Sequence, residues 1–176
     1  ALERGDHILR VWSCGCASGE EVYAIAVLWQ VRVAENFPGI DIEITATDAD
    51  LRMLERARRG VYGAGSVREL PVDLRRSAFV ETGKPYRVRN RLREGVAWLC
   101  QDVRAESPPG PFDLILCRNL VLTYFDDALQ LEVMKRVVEV LRRDGALVIG
   151  SHESLPPHDI GCDPWMASLP IYRRVG

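Results

Sequence analysis

Ile8-Leu9-Arg10-Val11-Trp12-Ser13-Cys14-Gly15-Cys16-Ala17-Ser18-Gly19-Glu20-Glu21-Val22-Tyr23-Ala24-Ile25-Ala26 decides the fold. Ile8 to Ser13 reads as a strand, Cys14 to Gly19 as a glycine-bearing turn, and Glu20 to about Ala34 as a helix. That helix is apolar on most sides, at Val22, Ile25, Ala26, Leu28 and Trp29, as expected of one packed on a sheet. Asn36-Phe37-Pro38-Gly39 breaks it.

Working outward, Ile42 to Thr47 reads as a second strand rich in β-branched residues. Asp48 or Asp50 caps the next helix, whose Leu51, Leu54 and Ala57 share a face, and Gly60 ends it. Further strands are predicted at Val96–Cys100, Leu114–Cys117, Ala146–Ile149 and Ile171–Arg173. A helix from about Asp127 to Arg142 buries Leu129, Val133, Val137, Val138 and Leu141, and Arg143-Asp144-Gly145 turns from it into the next strand. Alternating strands and helices predict an α/β, doubly wound, Rossmann-like fold with a mainly parallel sheet, one domain over residues 1–176. In such a fold the ligand lies beyond the carboxyl ends of the strands, where strand order reverses. Residues 60–95 are less regular and read as a small basic insertion, in which Tyr86-Arg87-Val88-Arg89 alternates like a short exposed strand.

A hydrophobic fraction of 47% in 176 residues supports one buried core. No apolar run reaches the ~18 residues that a membrane helix needs, and the opening residues lack a signal peptide's apolar stretch. A cytoplasmic protein without membrane insertion is expected. The missing initiator Met suggests a piece of something longer. Five cysteines, Cys14, Cys16, Cys100, Cys117 and Cys162, read as reduced core residues. Cys14 and Cys16 have one residue between them and no partner pair at metal-ligand spacing, so no metal site is expected. The net charge of -2 hides an asymmetry: Arg52 to Arg93 holds 12 Lys/Arg against 4 Asp/Glu. A basic module in an otherwise acidic chain suggests an anionic partner, or simply a solvated arginine-rich surface.

The turn Cys14 to Gly19 is not G-x-G-x-x-G. Gly15 and Gly19 permit backbone dihedrals and close ligand approach that a side chain would block. A dinucleotide places its pyrophosphate at the helix N-terminus, where this chain carries Glu20 and Glu21. Two carboxylates suit the helix dipole but repel phosphate. A cofactor bearing an amine and a sulfonium, S-adenosylmethionine, fits better than a nicotinamide dinucleotide. Asp48, ending the second strand, is placed to accept from both ribose hydroxyls, unless it is only a helix cap. Asp102, just past the third strand, lies where a carboxylate meets an adenine amine, unless it is only a solvated loop acid. Arg118 and Asn119 follow a buried apolar strand at the point where the reacting methyl belongs. Tyr124 either lines the acceptor site or joins the core.

Several linked motifs resemble the CheR family, the chemotaxis receptor glutamate methyltransferases. They are Trp12 to Ala26, Ala46-Thr47-Asp48-Ala49-Asp50, Gly60-Val61-Tyr62 to Arg68-Glu69-Leu70-Pro71, Tyr86-Arg87-Val88, and Phe112-Asp113-Leu114-Ile115-Leu116-Cys117-Arg118-Asn119. The resemblance implies that Glu20 or Glu21, Asp48, Asp102, Val103, Asn119 and Leu120 contact the cofactor, S-adenosylmethionine, and that its product is S-adenosylhomocysteine. It implies that Tyr124, with Arg118 the candidate catalytic pair, is near the transferred methyl. It also implies that residues 60–95 form a β-subdomain of the kind some members use to dock receptor tails. Three departures stand out. The family's N-terminal helical domain is not in this sequence. Its usual Gly-His-Ser-Glu appears as Gly150-Ser151-His152-Glu153. Pro156 to Trp165 matches nothing expected.

With a glutamate acceptor the reaction needs no general base, since a carboxyl of pKa about 4.3 is already ionised at neutral pH. The sequence offers no obvious nucleophile–base pair. Alternatives are a small-molecule or nucleic-acid acceptor, or a non-catalytic module that binds the cofactor. Against nucleic acid, the basic segment has few aromatics for stacking, Tyr62, Phe79 and Tyr86.

Overall fold

The computed structural model describes residues 1–80 and 85–176. Glu81 and Lys84, part of the basic segment's charge count, lie outside the described residues. The elements run β1 (Ile8–Cys14), α1 (Glu20–Leu28), β2 (Asp41–Asp48), α2 (Leu51–Arg59), β3 (Val61–Tyr62), α3 (Ala64–Val67), α4 (Val72–Ala78), β4 (Phe79–Val80), β5 (Tyr86–Val88), α5 (Asn90–Glu94) and β6 (Val96–Cys100). They continue with β7 (Phe112–Cys117), α6 (Val121–Tyr124), α7 (Asp127–Glu139), β8 (Leu141–Val148), β9 (Cys162–Pro164) and β10 (Ile171–Arg174).

The main sheet has the order β6-β2-β1-β7-β8-β10-β9. β6, β2, β1, β7 and β8 are parallel, and β10 runs antiparallel to both β8 and β9. Chain order reverses at β1, which pairs with β2 on one side and β7 on the other. That is where a doubly wound sheet opens a crevice. Strand alternation divides the core. Val11, Ile44 and Ala46 pack on one face with Val22, Tyr23, Ala26 and Val27 of α1. Trp12, Ile115 and Leu147 pack on the other with Val133, Met134, Val137 and Val138 of α7.

Several expectations are corrected. The α-helix that starts at Glu20 ends at Leu28, followed by a π turn over Trp29–Val33 and a 3-10 turn over Ala34–Asn36. Val31 and Val33 are β-branched and resist a regular helical continuation. The helix starting at Asp127 stops at Glu139 rather than Arg142, because Leu141 pairs with Phe112 as the first residue of β8. The turn expected at 143–145 is a register irregularity inside that strand, with Asp144 at φ 64. β9 carries no strand pattern in the sequence. Tyr86–Val88 is not an exposed strand but the middle of a three-stranded antiparallel sheet, β3-β5-β4, with Val88 fully buried. Cys14, Cys16 and Cys117 are buried as expected, whereas Cys100 is exposed and Cys162 half-buried.

The second sheet is fastened to the first by aromatic contacts. Tyr62 meets Phe79 at 6.4 Å and Tyr23 of α1 at 6.1 Å between ring centroids. The Tyr62 hydroxyl donates to the Ser18 carbonyl at 2.6 Å, joining this sheet directly to the glycine turn.

Candidate functional site

The turn after β1 folds over the end of β2. The Gly15 and Cys16 N–H groups both donate to the Thr47 carbonyl at 2.9 Å. Ala17, held at φ 44, donates its N–H to Asp48 Oδ2 at 2.8 Å, and Asp50 N–H donates to Asp48 Oδ1 at 2.9 Å. Asp50 itself caps α2 through the Arg52 N–H. The two acids thus divide the roles that the sequence left open: Asp50 caps the helix, and Asp48 braces the turn. An ionised carboxylate offers about four lone-pair sites, so about two remain on Asp48.

These residues line one wall of a cleft at the carboxyl ends of β1, β2 and β6. It is open to solvent, and Gly15, Asp48, Asp102, Val103 and Leu120 line it. Gly15, at φ 71, has the Leu120 side chain 2.4 Å from where a Cβ would stand. Asp102 does not present an open carboxylate: Arg104 binds it through Nε at 3.0 Å to both oxygens and through its second terminal nitrogen at 2.6 Å.

The remaining predicted residues sit around this cleft rather than in it. Gly19, at φ 86, faces Ala57, Trp98 and Tyr62, which leave no room for a Cβ. Glu20 turns toward the second sheet, accepting from the hydroxyls of Ser18 at 2.7 Å and Ser66 at 3.2 Å. Glu21 stays at the strand ends, where it accepts from Ser13 Oγ at 3.0 Å and from Arg118 at 2.7 Å. Asn119 has φ 51. Tyr124 is 74% exposed, which removes it from the core.

Thr47, Gln101, Arg104 and Glu153 were not singled out from the sequence as separate candidates. Glu153 ties the ends of β7 and β8 together: it accepts from Gly150 N–H at 2.6 Å, Asn119 N–H at 3.0 Å and Thr123 Oγ at 2.5 Å. The motif Gly150-Ser151-His152-Glu153 was the available signal for it. A Cβ on Gly150 would stand 2.6 Å from both Asn119 Oδ1 and Glu153 Oε2. Gly150→Ala is therefore expected to cost about 2 kcal/mol by overpacking, a fall of about 6 °C in Tm for a chain of this size. Thermal unfolding measures it, and an unshifted Tm contradicts the packing described.

Electrostatics restrict the chemistry. Hydrogen bonding to Cys117 and burial raise the Cys14 thiol well above its ordinary value, and burial pushes Cys16 up to about 12. Neither is a thiolate nucleophile at neutral pH. The Arg104 hydrogen bonds hold the Asp102 carboxyl below the usual carboxylate range. A depressed carboxyl contributes stability above its unfolded pKa of about 3.9 and loses it as pH falls through the folded value. The Asp102–Arg104 pair is thus expected to persist at pH 5, and a carboxyl-carbon NMR titration showing Asp102 protonated there contradicts it. The donor set does not favour a phosphate: acids occupy the α1 N-terminus, and Arg104, paired with Asp102 along one edge, is the one cation among the cleft's described lining residues. An adenosine carrying an amine and a sulfonium, with no phosphate, fits these residues.

The model of the CheR methyltransferase, SAM binding domain, matches residues 1–164. The chain belongs to the CheR methyltransferase family. It is 37% identical over 161 residues to the chemotaxis protein methyltransferase of Listeria innocua, covering 91% of this chain and 60% of that protein. It is 38% identical over 152 residues to the chemotaxis protein methyltransferase of Escherichia coli, covering 82% of this chain and 52% of that protein. This CheR-family domain thus spans little more than half the length of those relatives. The glycopeptide N-methyltransferase MtfA, solved with S-adenosylmethionine, superposes with TM-score 0.51 at 15% identity, covering 80% of this chain and 43% of that one. That likeness carries the fold alone. As a CheR-family SAM-binding domain, the chain has S-adenosylmethionine as its cofactor.

Proposed function

We propose that this domain transfers a methyl group to glutamate side-chain carboxylates of a chemoreceptor-like signalling protein in the cytoplasm. The observation that carries the reading is the family match over residues 1–164, which coincides with a cleft walled by carboxylates at the switch point. Support for the acceptor comes from the relatives, which are chemotaxis protein methyltransferases. No helix among the described residues is long and apolar enough to cross a membrane.

When bound, S-adenosylmethionine would supply an electrophilic methyl on a positive sulfonium to an acceptor carboxylate oxygen, giving a methyl ester and S-adenosylhomocysteine. The protein's part is placement and exclusion of water. Asp48 uses its remaining lone pairs on the ribose hydroxyls. Val103 and Leu120 give the purine an apolar wall, with Asp102 beside it. Of the two glutamates, Glu21 is the better placed for the amine, because it lies at the end of β1 while Glu20 faces Ser66. Arg118, fixed by Glu21, holds the acceptor carboxylate with its remaining donors. Asn119 would border the methyl, and exposed Tyr124 would stand at the acceptor's approach. The test is incubation with methyl-labelled cofactor and an acidic receptor-derived helical peptide. Label released by mild alkali supports a methyl ester, and alkali-stable label moves the acceptor to nitrogen or carbon.

The arginine-rich surface of residues 60–95 supports docking of an acidic segment. Arg89 and Arg91 donate to the carbonyls of Arg76 and Ser77, so removing them also loosens the second sheet. Exposed Arg76 and Arg87 give a cleaner test. Reversing both charges is expected to raise the acceptor KM about fivefold or more at low salt, with the effect shrinking as salt screens it. The cofactor Kd should not move. An unchanged KM at low salt contradicts docking on this face.

A further inference from the structure

We infer that Arg104 is the residue that clamps the cofactor's adenine, and that Asp102 acts through it as a positioning residue. This deepens the reading of the cleft as a S-adenosylmethionine site and rests on it. Asp102 has little capacity left for an adenine amine. Its Oδ1 accepts from the Arg104 backbone N–H at 2.9 Å and from Arg104 Nε at 3.0 Å. Its Oδ2 accepts from the same Nε at 3.0 Å and from the second terminal nitrogen at 2.6 Å. Three N–H donors of one residue thus share about four lone-pair sites, the Nε hydrogen lying between both oxygens.

The same contacts make Arg104 a prepared surface. One edge of its guanidinium is spent on Asp102, which leaves the other edge and both faces of the plane. Its backbone is held as well: Arg136 of α7 donates to the Val103 carbonyl at 2.8 Å and to the Arg104 carbonyl at 2.9 Å, and is itself braced by Glu132 at 2.7 Å. An arginine so fixed loses little freedom when a ligand arrives. Arg104 lines the cleft and its side chain is 59% exposed. Leu120 and half-buried Phe125 line the same cleft and give it an apolar wall. A flat purine needs two faces covered; that wall supplies one, and a guanidinium plane stacks on the other. Base recognition by stacking does not read the exocyclic amine. The acceptor left for that amine is Gln101, whose Oε1 is buried with no hydrogen-bond partner among the described residues, on a side chain that lines the same cleft.

The test is calorimetric titration of the chain with S-adenosylhomocysteine, comparing Arg104→Ala, Arg104→Tyr, Asp102→Ala and the Arg104→Ala/Asp102→Ala double variant. Removing Arg104 is expected to weaken binding about tenfold, the size of a stacking contact with a base. Arg104→Tyr is expected to recover most of that loss, which a merely structural role for the ion pair does not allow. Asp102→Ala should weaken binding by a similar factor in the wild-type background and hardly at all once Arg104 is gone. Overturning results are unchanged affinity in Arg104→Ala, no recovery in Arg104→Tyr, or additive losses in the double variant; the last returns the adenine to Asp102. If the wild-type chain does not bind S-adenosylhomocysteine, the reading of the cleft itself falls, and this inference with it.

Discussion

Asp48→Ala is expected to lose at least a hundredfold in affinity for S-adenosylhomocysteine while remaining folded. Two lone-pair sites of this carboxylate serve the protein, on Ala17 and Asp50. The other two are proposed to serve the ribose. A hydrogen bond to a charged group contributes about 1.5–3 kcal/mol, and two of them correspond to about a hundredfold or more in Kd. The substitution also releases the Ala17 N–H, and with it the turn that positions Gly15 against Leu120. Asp48→Asn separates the two effects. Its one carbonyl oxygen can serve either the turn or the ribose, and its amide hydrogens oppose the N–H that the other oxygen formerly accepted. An intermediate loss is expected. Calorimetric titration gives the affinities, and thermal unfolding shows whether each variant is folded. A fivefold loss or less in a folded Asp48→Ala removes the ribose from this carboxylate.

The parallel half of the sheet was legible because its elements obey single periodicities. β1 and β7 hold consecutive buried residues, whose two-faced burial requires helices on both sides, β2 is rich in β-branched residues, and α2 begins and ends with the residues that cap helices. What the sequence hid has a common physical cause: stabilisation by partners distant along the chain. Leu141 looks like the last turn of an amphipathic helix, and only the pairing with Phe112 makes it a strand residue. Tyr86-Arg87-Val88 alternates like an edge strand, and only β3 and β4 on its two sides bury Val88. β9, with Asp163 and Pro164 among three residues, has no intrinsic strand preference and exists through its ladder with β10.

The site divides in the same way. Asp48 and Asp50 were legible as a pair, since both follow a strand and precede a helix, but their division of labour needed the fold that brings Ala17 within 2.8 Å of Asp48. Glu20 and Glu21 were indistinguishable as neighbours at a helix start. Their side chains leave α1 in different directions, one to Ser66 of the second sheet and one to Ser13 and Arg118 of the first. Adjacent helical positions diverge by about 100°, so two such glutamates seldom serve one ligand. Gly19 was read for ligand approach, and its missing side chain also makes room for Ala57 and Trp98. A glycine's role depends on what stands over it, which no local pattern states.

Trp12→Ala is expected to be the most destabilising of these substitutions, by about 4 kcal/mol, or about 12 °C in Tm at this chain length. The Trp12 side chain is completely buried between the main sheet and α7, 5.7 Å from the Phe112 ring centroid. Its removal leaves a large cavity that a close-packed interior relaxes into only partly. It also removes the indole N–H that donates to Thr47 Oγ at 2.9 Å, in surroundings where Thr47 is buried. Trp12→Phe keeps an aromatic ring and loses that donor, so a smaller cost of about 1–2 kcal/mol is expected. The pair of variants also bears on the site. Thr47 carries the glycine turn through its backbone carbonyl, not through the hydroxyl that Trp12 engages. Trp12→Phe should therefore reduce stability yet leave the S-adenosylhomocysteine Kd within about threefold of wild type, a change of under ~1 kcal/mol. Chemical denaturation and calorimetry on the same preparations measure both. If Trp12→Phe binds tenfold more weakly, the hydroxyl of Thr47 is part of the cofactor site, and the buried face of β1 does more than hold the turn in place.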